Sequence, residues 1–253
     1  MTLEEVVEKL NKSVLMNTKI PEDVRMIQME KLTPDKRKIF SKERERIIKN
    51  LKNRKYKSNK ELRDDLRKIN FDLSWAILTS ASLSNLDFSN VNFSVADLSG
   101  CDFSGCNLSG ADFSIANLTN TKFPIANMQS ANLSMVDCSW ADFSGVNLSA
   151  ANFMACIAVS TNFSSANLSG CDFSSSNLRN ADFTGANTVG INLQNCILEG
   201  TIFEGTEGLQ EEEKKKYETN KGIYEGVEQI REYLSKEAVY ASKTEYQAKK
   251  TYR

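Results

Sequence analysis

Residues 71 to 205 of this 253-residue chain run in a five-residue period with no insertion or slip. The block holds 27 units, each centred on a Leu or Phe in 23 cases; the exceptions are Met128, Cys138, Ala158 and Thr188. Two positions before the centre the residue is small or β-branched in 25 units, Phe71 and Leu86 being the outliers, and one position before it is Asp or Asn in 21. A regular internal repeat decides the fold before any local propensity does.

A period of five matches neither the 3.6 of a helix nor the 2.0 of a flat sheet. It matches a short extended piece followed by a corner. Residues two apart in a strand face the same way, so the small residue and the large centre point inward together. The Asp or Asn and the two positions after the centre are left outside, where Ser, Asn and Gly suit turns. Such a chain coils into a solenoid whose successive coils pair as parallel strands.

The number of units per coil follows from the order of centres. Every twentieth residue from Leu83 reads Phe103, Phe123, Phe143, Phe163, Phe183 and Phe203. The face opposite reads Leu73, Phe93, Phe113, Leu133, Phe153, Phe173 and Leu193. Four units per coil stack like on like, whereas two would leave no room for a core. These units resemble the pentapeptide repeat family, whose pattern is a small residue, Asp or Asn, Leu or Phe, then two mostly polar positions. The resemblance implies an all-β solenoid, a right-handed quadrilateral β-helix. At about 4.8 Å between paired strands, about seven coils make a rod of about 32 Å.

Charge divides the chain into three. Residues 1–70 carry 20 Lys and Arg against 12 Asp and Glu, residues 71–205 carry 2 against 11, and residues 206–253 carry 10 against 10. The expected organisation is a basic helical segment over 1–70, the β-helix over 71–205, and a C-terminal capping segment and helix over 206–253. In the first part, Pro34 is read as opening a helix and Ser58 with Glu61 as capping another that ends near Asn70. Such helices make a small bundle or a cap, which a solenoid end needs. In the last part, Ile223, Val227, Ile230 and Leu234 follow a 4-3-4 helical seam. The resemblance implies a homodimer contact through this C-terminal helix; packing on its own rod is the other reading.

Six cysteines sit at inward or central positions, where they serve as small hydrophobes. The chain has no histidine, the commonest metal ligand and general base. No apolar run is long enough to span a bilayer, and the acidic start Met1-Thr2-Leu3-Glu4-Glu5 is unlike a secretory leader, so a cytoplasmic location is expected. No cofactor and no catalytic residue is expected: the carboxylates recur as turn residues interchangeable with Asn, unlike a catalytic pair.

Three candidate surfaces remain. Counting by twenties along one corner gives Trp75, Val95, Ile115, Met135 and Ala155, an apolar stripe for a protein partner or for the chain's own helices. The run Lys42, Arg44, Arg46, Lys49, Lys52, Arg54, Lys55 and Lys57 is a candidate for an anionic partner such as nucleic acid, or a solvated helix face. Members of the resembled family include DNA mimics that bind type II topoisomerases; here Asp97, Asp102, Asp137, Asp142 and Asp182 would stand in for phosphates. The leading expectation is a non-enzymatic interaction scaffold built on a rigid rod.

Overall fold

The computed structural model describes residues 34–209, with side chains from residue 41. The C-terminal seam Ile223–Leu234 and the first 33 residues lie outside the described residues. Residues 71–207 wind as a four-sided coil with a 20-residue turn. Twenty-four parallel bridges join each outward Asp or Asn position to the one 20 residues later, from Asp72↔Asn92 to Asn187↔Glu207. We number the faces 1 to 4 by their first outward residue, Asp72, Ile77, Ser82 and Asp87, and each corner by the face it follows.

One hydrogen-bond scheme repeats throughout. The central residue's N–H donates to the next coil, as Leu83 N does to Asp102 O at 2.8 Å. The outward residue's N–H donates back, as Asp102 N does to Ala81 O at 3.0 Å. The corner N–H donates forward, as Asn85 N does to Ser104 O at 2.9 Å. Where the outward residue is Asp or Asn, the corner is closed by an Asx turn, its side chain accepting from the backbone two residues on, as Asp102 Oδ1 does from Ser104 N at 2.9 Å. Backbone polar groups buried away from water must be paired, and this ladder pairs them.

Every corner residue, 27 in all, has a positive φ between 55° and 72°. A side chain with a Cβ enters this left-handed region at a cost of about 1–2 kcal/mol, which Gly escapes and Asn or Asp lessens by local hydrogen bonding. The five-residue repeat is therefore a repeat of backbone conformation as well as of polarity.

The core is built from two Phe stacks. On face 3, Phe103 and Phe123 stack at 5.4 Å and Phe123 and Phe143 at 4.5 Å. On face 1, Phe93 and Phe113 stack at 5.2 Å and Phe153 and Phe173 at 4.4 Å. The two stacks meet edge-on across the axis, Phe103 against Phe113 at 6.1 Å and 86°. Both geometries suit the aromatic quadrupole, and each pair adds about 0.5–1.5 kcal/mol beyond its buried area. Where the small inward residue is polar it bonds a carbonyl of the preceding coil: Thr121 Oγ1 donates to Leu98 O at 3.0 Å and Cys101 Sγ to Leu78 O at 2.8 Å. Burial pushes the thiols of Cys101, Cys106, Cys171 and Cys196 up to about 12, as expected of core residues without thiolate chemistry.

Among the described residues, two helices precede the rod, α1 (Pro34–Lys52) and α2 (Asn59–Lys68). Ser58 caps α2, its hydroxyl accepting from Glu61 N at 3.2 Å, while Glu61 reaches back to Lys57 N. Ile47 and Leu51 of α1, Leu62 and Leu66 of α2, and Ile69 are fully buried together with the first coil's Leu73. Asn59 and Arg63 reach the open edge of face 4. Asn59 Oδ1 accepts from Asp87 N at 2.8 Å; Arg63 donates to Ser89 O at 2.6 Å and lies 4.5 Å from the Phe71 ring centre. Helix α2 thus caps the N-terminal end of the solenoid, where a first coil has no predecessor to pair with.

Candidate interaction surfaces

The corner stripe is assembled as the register requires. Trp75, Val95, Ile115, Met135 and Ala155 all follow face 1, one coil apart, each in the left-handed region. Their mutual stacking leaves every one half-buried. The most exposed apolar side chains lie elsewhere: Ile125 on corner 3 is 82% exposed and Trp140 on corner 2 is 55% exposed. Met154, just before Ala155, is also exposed and extends the stripe. A count by twenties along the outermost position of one corner does not reach Met154, Ile125 or Trp140.

The corners differ sharply in what occupies them. Of 27, nine are Gly, five Asn, five Ser, and eight apolar: Trp75, Val95, Ile115, Ile125, Met135, Trp140, Ala150 and Ala155. Val95, Ile115 and Ile125 are β-branched, the type that least tolerates positive φ. Ile125, being exposed, recovers little through packing. Strain held at a surface position is a pointer to function.

The acidic candidates have a folding role. Asp97, Asp102, Asp137, Asp142 and Asp182 each accept, through Oδ1, the backbone N–H two residues on, at 3.1, 2.9, 3.0, 3.0 and 2.8 Å. The register brings Asp102, Asp142 and Asp182 into one row on face 3 and Asp97 and Asp137 onto face 2. The Ser104 side-chain hydrogen bond holds the Asp102 carboxyl below the usual range, against the opposing effect of burial.

No outward aspartate stacks on another. Each is bridged only to Asn, Ile, Ser or Lys, with Lys122 between Asp102 and Asp142. Carboxylates one strand apart would repel, whereas Asn donates: Asn117 Nδ2 to Asp97 Oδ1 at 3.3 Å, and Asn132 Nδ2 to Asp112 Oδ1 at 3.0 Å.

The basic run does not form one uniform patch. Lys42, Arg46, Lys49 and Lys52 are exposed on α1 and Arg44 is half-buried there. Arg54, Lys55 and Lys57 are exposed in the link between the helices, which turns at Arg54 with φ 50°. Arg46 is engaged: it donates to Asp65 at 2.7 Å and to Glu43 at 2.9 Å. Asp65 is buried and also accepts from Tyr56 at 3.0 Å and Lys68 at 2.8 Å. Burial alone would raise its pKa, but the hydrogen bonds from Arg46, Lys68 and Tyr56 outweigh it and hold the carboxyl at about 2.

The pentapeptide repeat region model matches residues 76–153 and 136–203, together 128 residues and just over half of the chain. The chain belongs to the pentapeptide repeat family. Its four units per coil are those of the family's right-handed quadrilateral β-helix. The family model describes a repeat region and indicates no enzymatic family. Comparison with curated proteins finds no match.

Similar solved structures include a pentapeptide repeat protein from the Arabidopsis thaliana thylakoid lumen, 29% identical, covering 39% of this chain and 68% of that one, TM-score 0.38. Another is a pentapeptide repeat protein from Nostoc Pcc 7120, 32% identical over 34% of this chain and 69% of that one, TM-score 0.32. Full-length QnrB1, a plasmid-mediated fluoroquinolone resistance protein, is 19% identical over 60% of this chain and 95% of its own, TM-score 0.37. No helix among the described residues is long and apolar enough to cross a membrane.

Proposed function

We propose that this pentapeptide repeat rod, of about seven coils with helical segments on both flanks, is a non-enzymatic scaffold that binds another protein through its apolar corners. The observation that carries this reading is Ile125, a β-branched residue 82% exposed in the left-handed region, at a position that 19 of the 27 corners fill with Gly, Asn or Ser. Folding gains little from it. Trp140, exposed one corner away, is of the type that anchors interfaces. The stripe Trp75, Val95, Ile115, Met135 and Ala155 offers a half-buried apolar ridge on which a partner's side chains can seat. A cytoplasmic setting, with the core thiols reduced, belongs to the same proposal.

The test is affinity capture from cell lysate with wild type and the double variant Ile125→Asn/Trp140→Asn, both verified as folded. A protein retained by wild type and lost from the variant supports the reading. Equal retention by both contradicts it.

A second reading is DNA mimicry toward a type II topoisomerase, favoured by the single row Asp102, Asp142, Asp182. Inhibition of DNA gyrase supercoiling by wild type, relieved in Asp142→Asn/Asp182→Asn, would support it; no inhibition would set it aside. A role for Lys49, Lys52, Arg54, Lys55 and Lys57 toward nucleic acid would show as salt-sensitive retention on DNA.

A further inference from the structure

Unit 121–125 departs from the repeat at every position that faces out. Lys122 stands where most units carry Asp or Asn, Pro124 where most carry Ser, and Ile125 where most corners carry Gly, Asn or Ser. Its inward residues, Thr121 and Phe123, keep the pattern and are fully buried. A lysine cannot accept the N–H two residues on, and a proline has no N–H to present there. The unit gives up the Asx turn without stranding a donor, which releases its outer surface from that folding role. Lys122 is the only cation among the rod's 27 outward positions. It is exposed and makes no ion pair among the described residues, although the ladder sets it between Asp102 and Asp142.

Apolar groups gather round the same face. Trp140 on corner 2 and Ile125 on corner 3 border face 3, and the exposed Ile202 lies on it. The cap adds positive charge at the N-terminal end of this face. Asn59 Nδ2 donates to Asn85 O on corner 3 at 3.4 Å, and the link just before it carries Arg54, Lys55 and Lys57. The Ser104 hydrogen bonds hold the Asp102 carboxyl down, and the charges of Lys122 and Arg54 add to that, so both cations stand by this row.

We propose that face 3 pairs with face 3 of a second copy, the rods antiparallel and the two-fold axis midway between Lys122 and Asp142. This names a partner for Ile125 and Trp140 and rests on the corner-binding reading above. Reversing the row Ser82, Asp102, Lys122, Asp142, Asn162, Asp182 about that midpoint sets Lys122 against the partner's Asp142, Asp102 against its Asn162 and Ser82 against its Asp182. No acid meets an acid. A parallel pair would set each aspartate against itself, and an axis through Lys122 or Asp142 would set Asp102 against another aspartate; like charges across an interface repel. The axis runs along the strands, so corner meets like corner. Ile125 then lies over the partner's Gly145, where a Cβ would meet nothing within 4 Å, and Trp140 lies over its Asn120. Asn59 stands where a coil before the first would be, which brings the link cations opposite the partner's last coil and its exposed Glu204. The centre is apolar anchors around two charge pairs, the arrangement from which interfaces draw most of their energy. The face is about 32 Å long and about 15 Å wide, on the order of 500 Å² a side. That is below the ~800 Å² a side of a standard interface, so the dimer dissociates on dilution.

Sedimentation equilibrium on the full chain, over a concentration series at low salt and at 1 M salt, tests this. Wild type is expected to dimerise at low salt and less so at 1 M, where charges are screened. Lys122→Asp and Asp142→Lys are each expected to raise the dimer Kd by about tenfold or more. An equimolar mixture of the two is expected to recover the dimer, because the mixed pair meets with opposite charges at both contacts. Ile125→Asn/Trp140→Asn leaves every Asx turn in place and is expected to weaken the dimer to a similar degree. Should a charge variant lose its fold by circular dichroism, this second comparison decides. A wild type that stays monomeric throughout overturns the proposal. A dimer that none of the variants weakens also overturns it, since it would use another surface, and so does a mixture of folded charge variants that stays monomeric. The corner-binding reading fails separately, by equal retention of lysate proteins on wild type and Ile125→Asn/Trp140→Asn, which a monomeric wild type does not imply.

Discussion

Asn59 Oδ1 accepts the backbone N–H of Asp87 at 2.8 Å. One coil later the equivalent donor, Asn107 N, finds the carbonyl of Leu86 at 3.1 Å, and in every further coil on face 4 the preceding coil supplies that acceptor. A helix side chain therefore stands where a missing coil's backbone would be. The open edge of a parallel solenoid is a template for unwanted pairing, and α2 blocks it at this end of face 4.

Replacing Asn59 by Ala removes that acceptor and leaves a partly covered N–H unpaired. The expected cost is about 1–2 kcal/mol, read as a lowered urea midpoint. An unchanged midpoint would mean that water serves the edge equally well.

That no bridge pairs Asp with Asp predicts an electrostatic penalty for stacking carboxylates. Asn117→Asp places a charge between Asp97 and Asp137 and deletes the 3.3 Å bond to Asp97. A loss of about 1 kcal/mol is expected at low salt, reduced in 1 M salt by screening. A loss that is independent of salt would point to the lost hydrogen bond alone.

Asp65 makes the cap sensitive to acid. Its folded carboxyl titrates at about 2, below the ordinary 3.8, because Arg46, Lys68 and Tyr56 donate to it. A depressed carboxylate contributes stability that is present above the ordinary value and is lost as pH falls through the folded one. The difference between wild type and Asp65→Asn should therefore shrink between pH 4 and about 2. Chemical denaturation across that window checks it, and a constant difference would contradict the ion-pair account.

Much of this architecture is legible in the chain because the repeat encodes it redundantly. The spacing of Phe103, Phe123 and Phe143 gives the 20-residue coil, since only four units per coil bring these rings together, and the structure stacks them at 5.4 and 4.5 Å. The Ser58–Glu61 spacing marks the start of α2 for an equally local reason, the pairing of free N–H groups in a first turn. What the sequence hides is exposure. Ile115 and Ile125 occupy equivalent positions in their units, yet neighbours above and below half-bury the first and leave the second in water. The burial of Ile157 is likewise invisible in a pattern that marks its position as outward. The cap contacts of Asn59 and Arg63 lie 28 and 26 residues from their partners and follow no repeat.

The central claim is that apolar corners serve binding rather than folding, and Ile125 tests it most directly. Ile125→Asn puts a residue suited to the left-handed region at an exposed site, relieving strain of about 1 kcal/mol. Thermal melting of wild type and Ile125→Asn should show a variant as stable as wild type or more so. A melting temperature clearly below wild type would show that the rod needs this side chain to fold, and would contradict the assignment of the corners to a partner.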